Sequence, residues 1–287
     1  MITRMILAVL ICLTSYVLMA IEPIQENCVI SNALGRVEVS LKGARVMSWR
    51  DATGVELLFM PEKESSEGAE WSHGGIPLCW PWFGRRDGLI HGFIRTKRFT
   101  VVRRNEDGVL LRYSLSEREE PSFPHAAEIE VEIKLSKRLS VVLRTRNQGK
   151  EPFDFTCGIH PYVAVTDYRC LTFTGVDTTT FDCVCGMDKA FPRSCEGRFG
   201  VTDKASKRTL LMSAVGNSHV ILWSPGTAEP ANRNLRPEDM VKFIGYGPAI
   251  TKVAGAIHLS PGMMHELAMN FLSEKTESVG ADPAKSL

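Results

Sequence analysis

This sequence predicts an all-β sandwich, and three observations predict it. Short apolar runs alternate with period two, turn residues break them at intervals of about 8–12 residues, and no apolar pattern at helical spacing persists beyond about two turns. The 287 residues suit one such domain, because β-sandwiches commonly run to about 200–250 residues undivided. No linker divides the chain and no internal repeat is visible. The expected organisation is a leader over 1–20, one domain over 21–272 and a tail over 273–287.

The leader comes first. Arg4 is followed by an apolar run from Met5 to Ala20 that ends on a small residue, the pattern of a secretory signal peptide. The run is short for a bilayer span of about 20 apolar residues. Only its last position is small, so an uncleaved membrane anchor is the alternative. The expected location is therefore periplasmic or secreted, with membrane contact only if the segment stays.

Strands follow. Arg36 to Leu41 alternates and is broken at Lys42-Gly43. Gly108 to Leu115, Ala127 to Leu135 and Leu139 to Arg146 repeat the pattern, most clearly where Ile129, Val131, Ile133 and Leu135 share one face with charges between them. Later runs are Leu171 to Thr174, Thr209 to Ala214, His219 to Trp223 and Val241 to Tyr246. A closing hairpin is expected from Ala256–Leu259 and His265–Phe271 around Ser260-Pro261-Gly262. From Ser273 the tail is polar and small, and disorder is expected.

Export would place the cysteines in an oxidising compartment. Of eight, Cys12 leaves with the leader. The odd remainder implies at least one free thiol or an intermolecular bond, with a local bridge expected among Cys170, Cys183, Cys185 and Cys195. The balance of 34 Lys+Arg against 33 Asp+Glu argues against nucleic acid as partner. No GxxxxGK[ST], HExxH or heptad run is present, so nucleotide, zincin and coiled-coil readings lack support.

Two stretches carry chemistry. The first is Gly74-Gly75-Ile76-Pro77-Leu78-Cys79-Trp80-Pro81-Trp82-Phe83-Gly84, followed by His91-Gly92-Phe93-Ile94-Arg95. Three of the five tryptophans lie between 71 and 82, on a backbone that Gly and Pro make irregular. Aromatic faces suit the C–H faces of a sugar ring, and Trp N–H groups suit its hydroxyls; an ordinary aromatic core is the plainer reading. Arg95 could grip a phosphate or carboxylate. The second stretch is Thr156-Cys157-Gly158-Ile159-His160-Pro161-Tyr162, whose His160 has the side chain best suited to proton transfer near neutrality. A metal site from His73, His91, His125 and His160 would have a spacing unlike any compact ligand motif, and no metal is expected.

At these residues the sequence resembles the hexose-6-phosphate mutarotases, or glucose-6-phosphate 1-epimerases, of the galactose-mutarotase-like superfamily. The resemblance spans roughly residues 28–272 and includes Leu222-Trp223-Ser224-Pro225. It implies a β-supersandwich and exchange of α and β anomers at C1 of a hexose or hexose 6-phosphate, with no cofactor. It implies a monomer with a small sugar or sugar phosphate as partner. It makes His160 the acid that protonates the ring oxygen. His91, Trp82, Phe83 and Trp223 would bind the sugar, with Arg95 at or near the phosphate. Three departures stand out. The family's basic Glu falls on Gly247, which cannot accept a proton, and neighbouring Tyr246, with an ordinary pKa of about 10, is a poor base. The family's Arg before the Gly pair is His73, which weakens a phosphate clamp. Its Asp-Arg element falls near Glu196-Gly197-Arg198, where Arg198 alone clearly matches. Glu229, Glu238 and Asp239 lie upstream of Gly247 as other carboxylates. A carbohydrate-binding relative without turnover is thus the alternative to an active epimerase.

Overall fold

Alternation builds the largest sheet. The computed structural model describes residues 26–62, 73–177, 186–194, 196–226 and 235–275. In β9 (Ala127–Leu135), Ile129, Val131, Ile133 and Leu135 are all buried, whereas Glu128 and Glu130 are half-buried on the other face. Each such aliphatic side chain contributes about 1.5–3 kcal/mol by leaving water. The eight strands run in the order β14 (Leu171–Thr174), β16 (Arg198–Asp203), β17 (Arg208–Val215), β21 (Met264–Lys275), β10 (Leu139–Asn147), β9, β8 (Gly108–Leu115) and β7 (Thr100–Arg104), each antiparallel to its neighbour.

A second layer has the order β15 (Met187–Pro192), β18 (His219–Ser224), β19 (Phe243–Ala249), β12 (Gly158–Ile159) and β4 (Leu78–Cys79), with β13 (Tyr162–Ala164) also paired to β19. The layers meet where Tyr246 of β19 packs on Phe199 of β16, ring centroids 4.9 Å apart, and donates from its hydroxyl to the Thr174 carbonyl at 3.0 Å. A meander of β1 (Asn27–Asn32), β2 (Gly35–Ser40) and β3 (Arg45–Asp51) joins the same core, with Trp49 against Phe271 at 5.9 Å. Two short pairs complete the described strands: β5 (Arg85–Arg86) with β6 (Leu89–Ile90), and β11 (Phe153–Phe155) with β20 (Ile257–Leu259). Helical structure among the described residues is limited to four single 3-10 turns.

The strands expected at 108–115, 127–135 and 171–174 occur with those bounds. The closing hairpin does not form. The chain does turn at Ser260, whose carbonyl accepts from the Met263 amide at 3.0 Å, but β20 pairs with β11 and β21 pairs with β10 and β17. Asn147 divides the two, its side chain donating to the Leu259 carbonyl at 2.8 Å and its amide to the Met263 carbonyl at 3.0 Å. The turn residues fixed a reversal of direction but not a shared sheet. β21 also continues through Lys275, three residues into the stretch expected as tail. The leader, the rest of the tail and Cys183, Cys185 and Cys195 lie outside the described residues. Cys28, Cys79, Cys157 and Cys170 are unbridged thiols, the first three buried.

Candidate active site

Backbone hydrogen bonds stitch the two chemistry-bearing stretches together on one face of the second layer. The His160 amide donates to the Pro77 carbonyl (3.0 Å), the Tyr162 amide to Gly75 (2.8 Å), and the Phe83 amide to the Thr156 hydroxyl (2.8 Å). On the other side, the Trp80 amide donates to the His91 carbonyl (3.2 Å) and the Phe93 amide to the Trp80 carbonyl (3.1 Å). This close approach requires Gly92. Its φ is +72°, and a β-carbon there would lie 2.0 Å from the Trp80 carbonyl oxygen. His91 itself adopts φ +60°, a region that non-glycine residues seldom occupy and one often found at functional sites.

The result brings His160, His91 and His73 into one aromatic cluster. The rings of His91 and His160 lie 5.6 Å apart. Phe83 packs on His91 at 4.7 Å, Tyr162 stacks on His160 at 5.0 Å, and Trp223 stacks on His73 at 5.7 Å and meets His160 edge-on at 6.5 Å. Phe83, Ile159, His160, Ile221, Gly245 and Gly247 line a narrow cleft with no room inside it for a water molecule. All three histidines are buried, and burial favours the neutral ring. Desolvation lowers the pKa of His160 to about 4. The His73 value falls to about 4 through burial, then through His160 and Arg45. The His91 value falls to about 3 through burial, then through His160 and Arg95. The Gly84 amide donates to Nδ1 of His91 at 3.0 Å, so the proton of the neutral His91 ring sits on Nε2. Nδ1 of His73 is buried with no hydrogen-bond partner among the described residues.

Other expected site residues have different positions. Trp82 is buried, with its ring edge against Phe93 and the Arg86 guanidinium 5.2 Å over its face, so it is core; Phe83 and Trp223 supply the accessible aromatic surface. Arg95 donates from Nη1 to the carbonyls of Ile90 (3.0 Å) and Gly92 (2.9 Å), and thereby braces the loop that carries His91. Arg198 lies on β16 in the other layer, its side chain 78% exposed, beside a groove of about 870 Å³ that also involves Arg138, Glu196 and Leu211. That larger groove is remote in the topology from the histidines.

Gly247 itself has no room for a carboxylate side chain. A β-carbon on Gly247 would lie 2.3 Å from the Ile159 carbonyl oxygen and 2.4 Å from Pro161 Cδ, so backbone fills the space a side chain would need. Tyr246 points to the opposite, interlayer face, and burial raises its pKa. Asp239 is held by Arg236 at 2.8 Å and Lys242 at 3.5 Å, and Glu238 faces Arg236 at 3.4 Å. Glu229 lies outside the described residues.

Sequence reasoning missed Asp188. The register sets Asp188 opposite Trp223 and Trp223 opposite Gly245. Directly opposed residues share a face, so Asp188 stands on the side of the sheet that carries Trp223 and the histidines. A β-carbon on Gly245 would lie 2.8 Å from His160 Cε1, which fixes that face as the cleft side. Asp188 is open to solvent, yet enough protein surrounds its carboxyl to raise its pKa above the ordinary value through desolvation. No alternation marks it, since Met187, Ala190 and Phe191 do not follow a period of two, and only the strand register brings Asp188 to this face.

The fold has known counterparts. A protein of Escherichia coli (strain K12) named "Putative glucose-6-phosphate 1-epimerase" is 27% identical over 235 residues, which cover 72% of this chain and 76% of that one. A protein of the same name from Cenchrus ciliaris is 25% identical over 222 residues, covering 66% of each. In fold, the chain is similar to a crystal structure from Salmonella typhimurium titled "a putative mutarotase", with TM-score 0.73 and 20% identity over 86% of this chain and 90% of that one. A GalM/aldose epimerase homologue from C. elegans has TM-score 0.67 and 12% identity, covering 88% and 99%. These likenesses establish the galactose mutarotase-like β-supersandwich. The profile described as aldose 1-epimerase matches residues 27–188, more than half of the 287, and the chain belongs to the aldose 1-epimerase family.

Proposed function

We propose that this chain is an aldose 1-epimerase that interconverts the anomers of a hexose or hexose 6-phosphate, with glucose 6-phosphate the first candidate. The observation that carries the reading is the pair of buried histidines, His91 and His160, 5.6 Å apart beside Phe83, Tyr162 and Trp223. Mutarotation needs little more than placed proton donors and acceptors around a sugar ring, and each such group contributes about 10²–10⁴-fold. Phe83 and Trp223 offer aromatic faces to the ring's C–H bonds. His91 offers its Nε2 proton to a hydroxyl. His160 protonates the ring oxygen as the C1–O5 bond opens. Its low pKa makes the imidazolium a strong donor but a scarce one at neutral pH. The names of the curated relatives favour a phosphorylated substrate. The first twenty residues act in this reading as an export signal or anchor, which N-terminal sequencing of the mature protein tests.

The closed position at Gly247 favours a second reading, a carbohydrate-binding protein without turnover. Exchange of α and β anomers at C1, followed by NMR for glucose, galactose and glucose 6-phosphate, separates the two. An epimerase accelerates exchange above the buffer rate, and His160→Ala lowers that rate by roughly 10²-fold or more while sugar affinity stays nearly intact. Saturable binding of a sugar with no acceleration assigns the chain to the second reading.

A further inference from the structure

We propose that Asp188 is the general base of the epimerase reaction in this chain, taking the proton of the C1 hydroxyl from the opposite side of the cleft to His160. The inference rests on the epimerase reading above and adds the group that the sequence leaves missing.

Strands β18 and β19 contribute Ile221, Gly245 and Gly247 to the cleft, β15 pairs with β18 beside them, and among the residues of these three strands the only Asp or Glu is Asp188. Strand register places it on the cleft face in a row with Trp223 and Gly245, and the His160 ring lies over Gly245. Neighbouring strands are about 4.8 Å apart, so Asp188 and the strand beneath His160 are separated by roughly 10 Å across Trp223. An acid on O5 and a base on O1 of one hemiacetal carbon must span two hydrogen bonds of about 2.8 Å plus the O–C–O unit, roughly 8 Å in all. A hexose lying on Trp223 therefore meets His160 at one edge and Asp188 at the other. No ion pair with a cation is formed by Asp188 among the described residues, in contrast to Asp239, whose two cations hold it away from such work.

The step balances without a cofactor. The Asp188 carboxylate takes the O1 proton, the O–H electrons form the C1 carbonyl, the C1–O5 bond breaks with its electrons on O5, and O5 takes the proton of protonated His160. After rotation about C1–C2 the O5 hydroxyl adds to the other carbonyl face, returning its proton to His160, and the carbonyl oxygen recovers its proton from Asp188.

The test compares wild type, Asp188→Asn and Asp188→Ala, with circular dichroism to check the fold, C1 exchange by NMR, and sugar affinity by titration on the same samples. The expected result is a loss of roughly 10²-fold or more in exchange in both variants, with affinity changed by less than about threefold. Added formate should restore part of the rate in Asp188→Ala and none of the affinity, because a free carboxylate replaces a base but not a tethered contact. Three results overturn the proposal. Exchange in Asp188→Asn within about threefold of wild type removes Asp188 from the proton transfer. An equal loss of affinity and rate, unrelieved by formate, makes it a hydroxyl-binding residue. Absence of any exchange by wild type overturns the epimerase reading and the base together, and is distinct from wild-type exchange that survives substitution.

Discussion

The outward faces of the two sheets make opposite use of polar groups. On the eight-stranded sheet charges occur in satisfied pairs: Glu132 lies 2.6 Å from Lys134, 3.1 Å from Arg144 and 3.4 Å from Arg103, and Arg144 continues to Glu266 at 2.7 Å. The cleft face of the other sheet instead carries neutral histidines among aromatic rings, held by loops whose own bonds run through the backbone. The ladder is regular and redundant, so losing one member leaves the rest. The cleft depends on a few positions where no other residue fits. Chemistry needs polar groups that remain available to a ligand, and the fold provides them where it is least tolerant of change.

The largest effects should therefore come from glycines of the cleft. Gly92→Ala places a methyl group against the Trp80 carbonyl at an unfavourable φ, and should lower stability by about 3 kcal/mol or more. Gly247→Glu should destabilise to a similar degree and create no base, since the glutamate side chain begins inside the Ile159–Pro161 backbone. Gly54→Ala meets no atom within 4 Å and serves as the control for positive φ alone. Urea midpoints of the three variants decide this. A stable, faster Gly247→Glu enzyme would show that the cleft floor can open.

Acid should act next, and through the cleft. The histidines titrate at about 4, 3 and 4 when folded, below the roughly 6.5 of an unfolded chain. Because the folded values are depressed, the neutral rings favour the native state fully above about pH 6.5. That advantage is lost as pH falls from there toward the folded values, at about 1.4 kcal/mol per pH unit for each ring that stays neutral. Unfolding free energies between pH 7 and pH 5 should fall steeply, and His160→Phe should make the slope shallower by about one ring's share. An unchanged slope would mean that His160 is not among the groups that resist protonation.

How much of this was legible in the sequence follows the same division. Alternation located β9 because its partners on both sides leave one apolar and one charged face, and a period of two is all that arrangement requires. It could not place β20 and β21 in separate sheets, because Asn147 decides that from more than a hundred residues away. His91 and His160 were legible as motifs, since Gly and Pro around them mark irregular backbone. The burial of Trp82 and the bonds of Arg95 to carbonyls were not legible, because both depend on neighbours that spacing does not reveal. Asp188 was invisible for the same reason in reverse: an ordinary aspartate becomes part of a cleft only through the strand register opposite Trp223.

The smallest effect expected is on the ladder. Desolvation raises the Glu132 carboxyl, but hydrogen bonds from Lys134 and Arg144 outweigh it, and the pKa is lowered on balance. A folded pKa below the unfolded value of about 4.3 means that its contribution is complete above that pH and is lost as pH falls through the folded value. Glu132→Gln should accordingly lower stability by about 1 kcal/mol at pH 7, discounted for the solvent around Arg103 and Lys134. The same variant should differ from wild type by much less at pH 3, and by less in high salt at pH 7. Since the substitution lies on the sheet away from the cleft, sugar exchange should be unaltered. A loss larger than that of Gly92→Ala would reverse the contrast between the two faces, placing the indispensable contacts in the ladder.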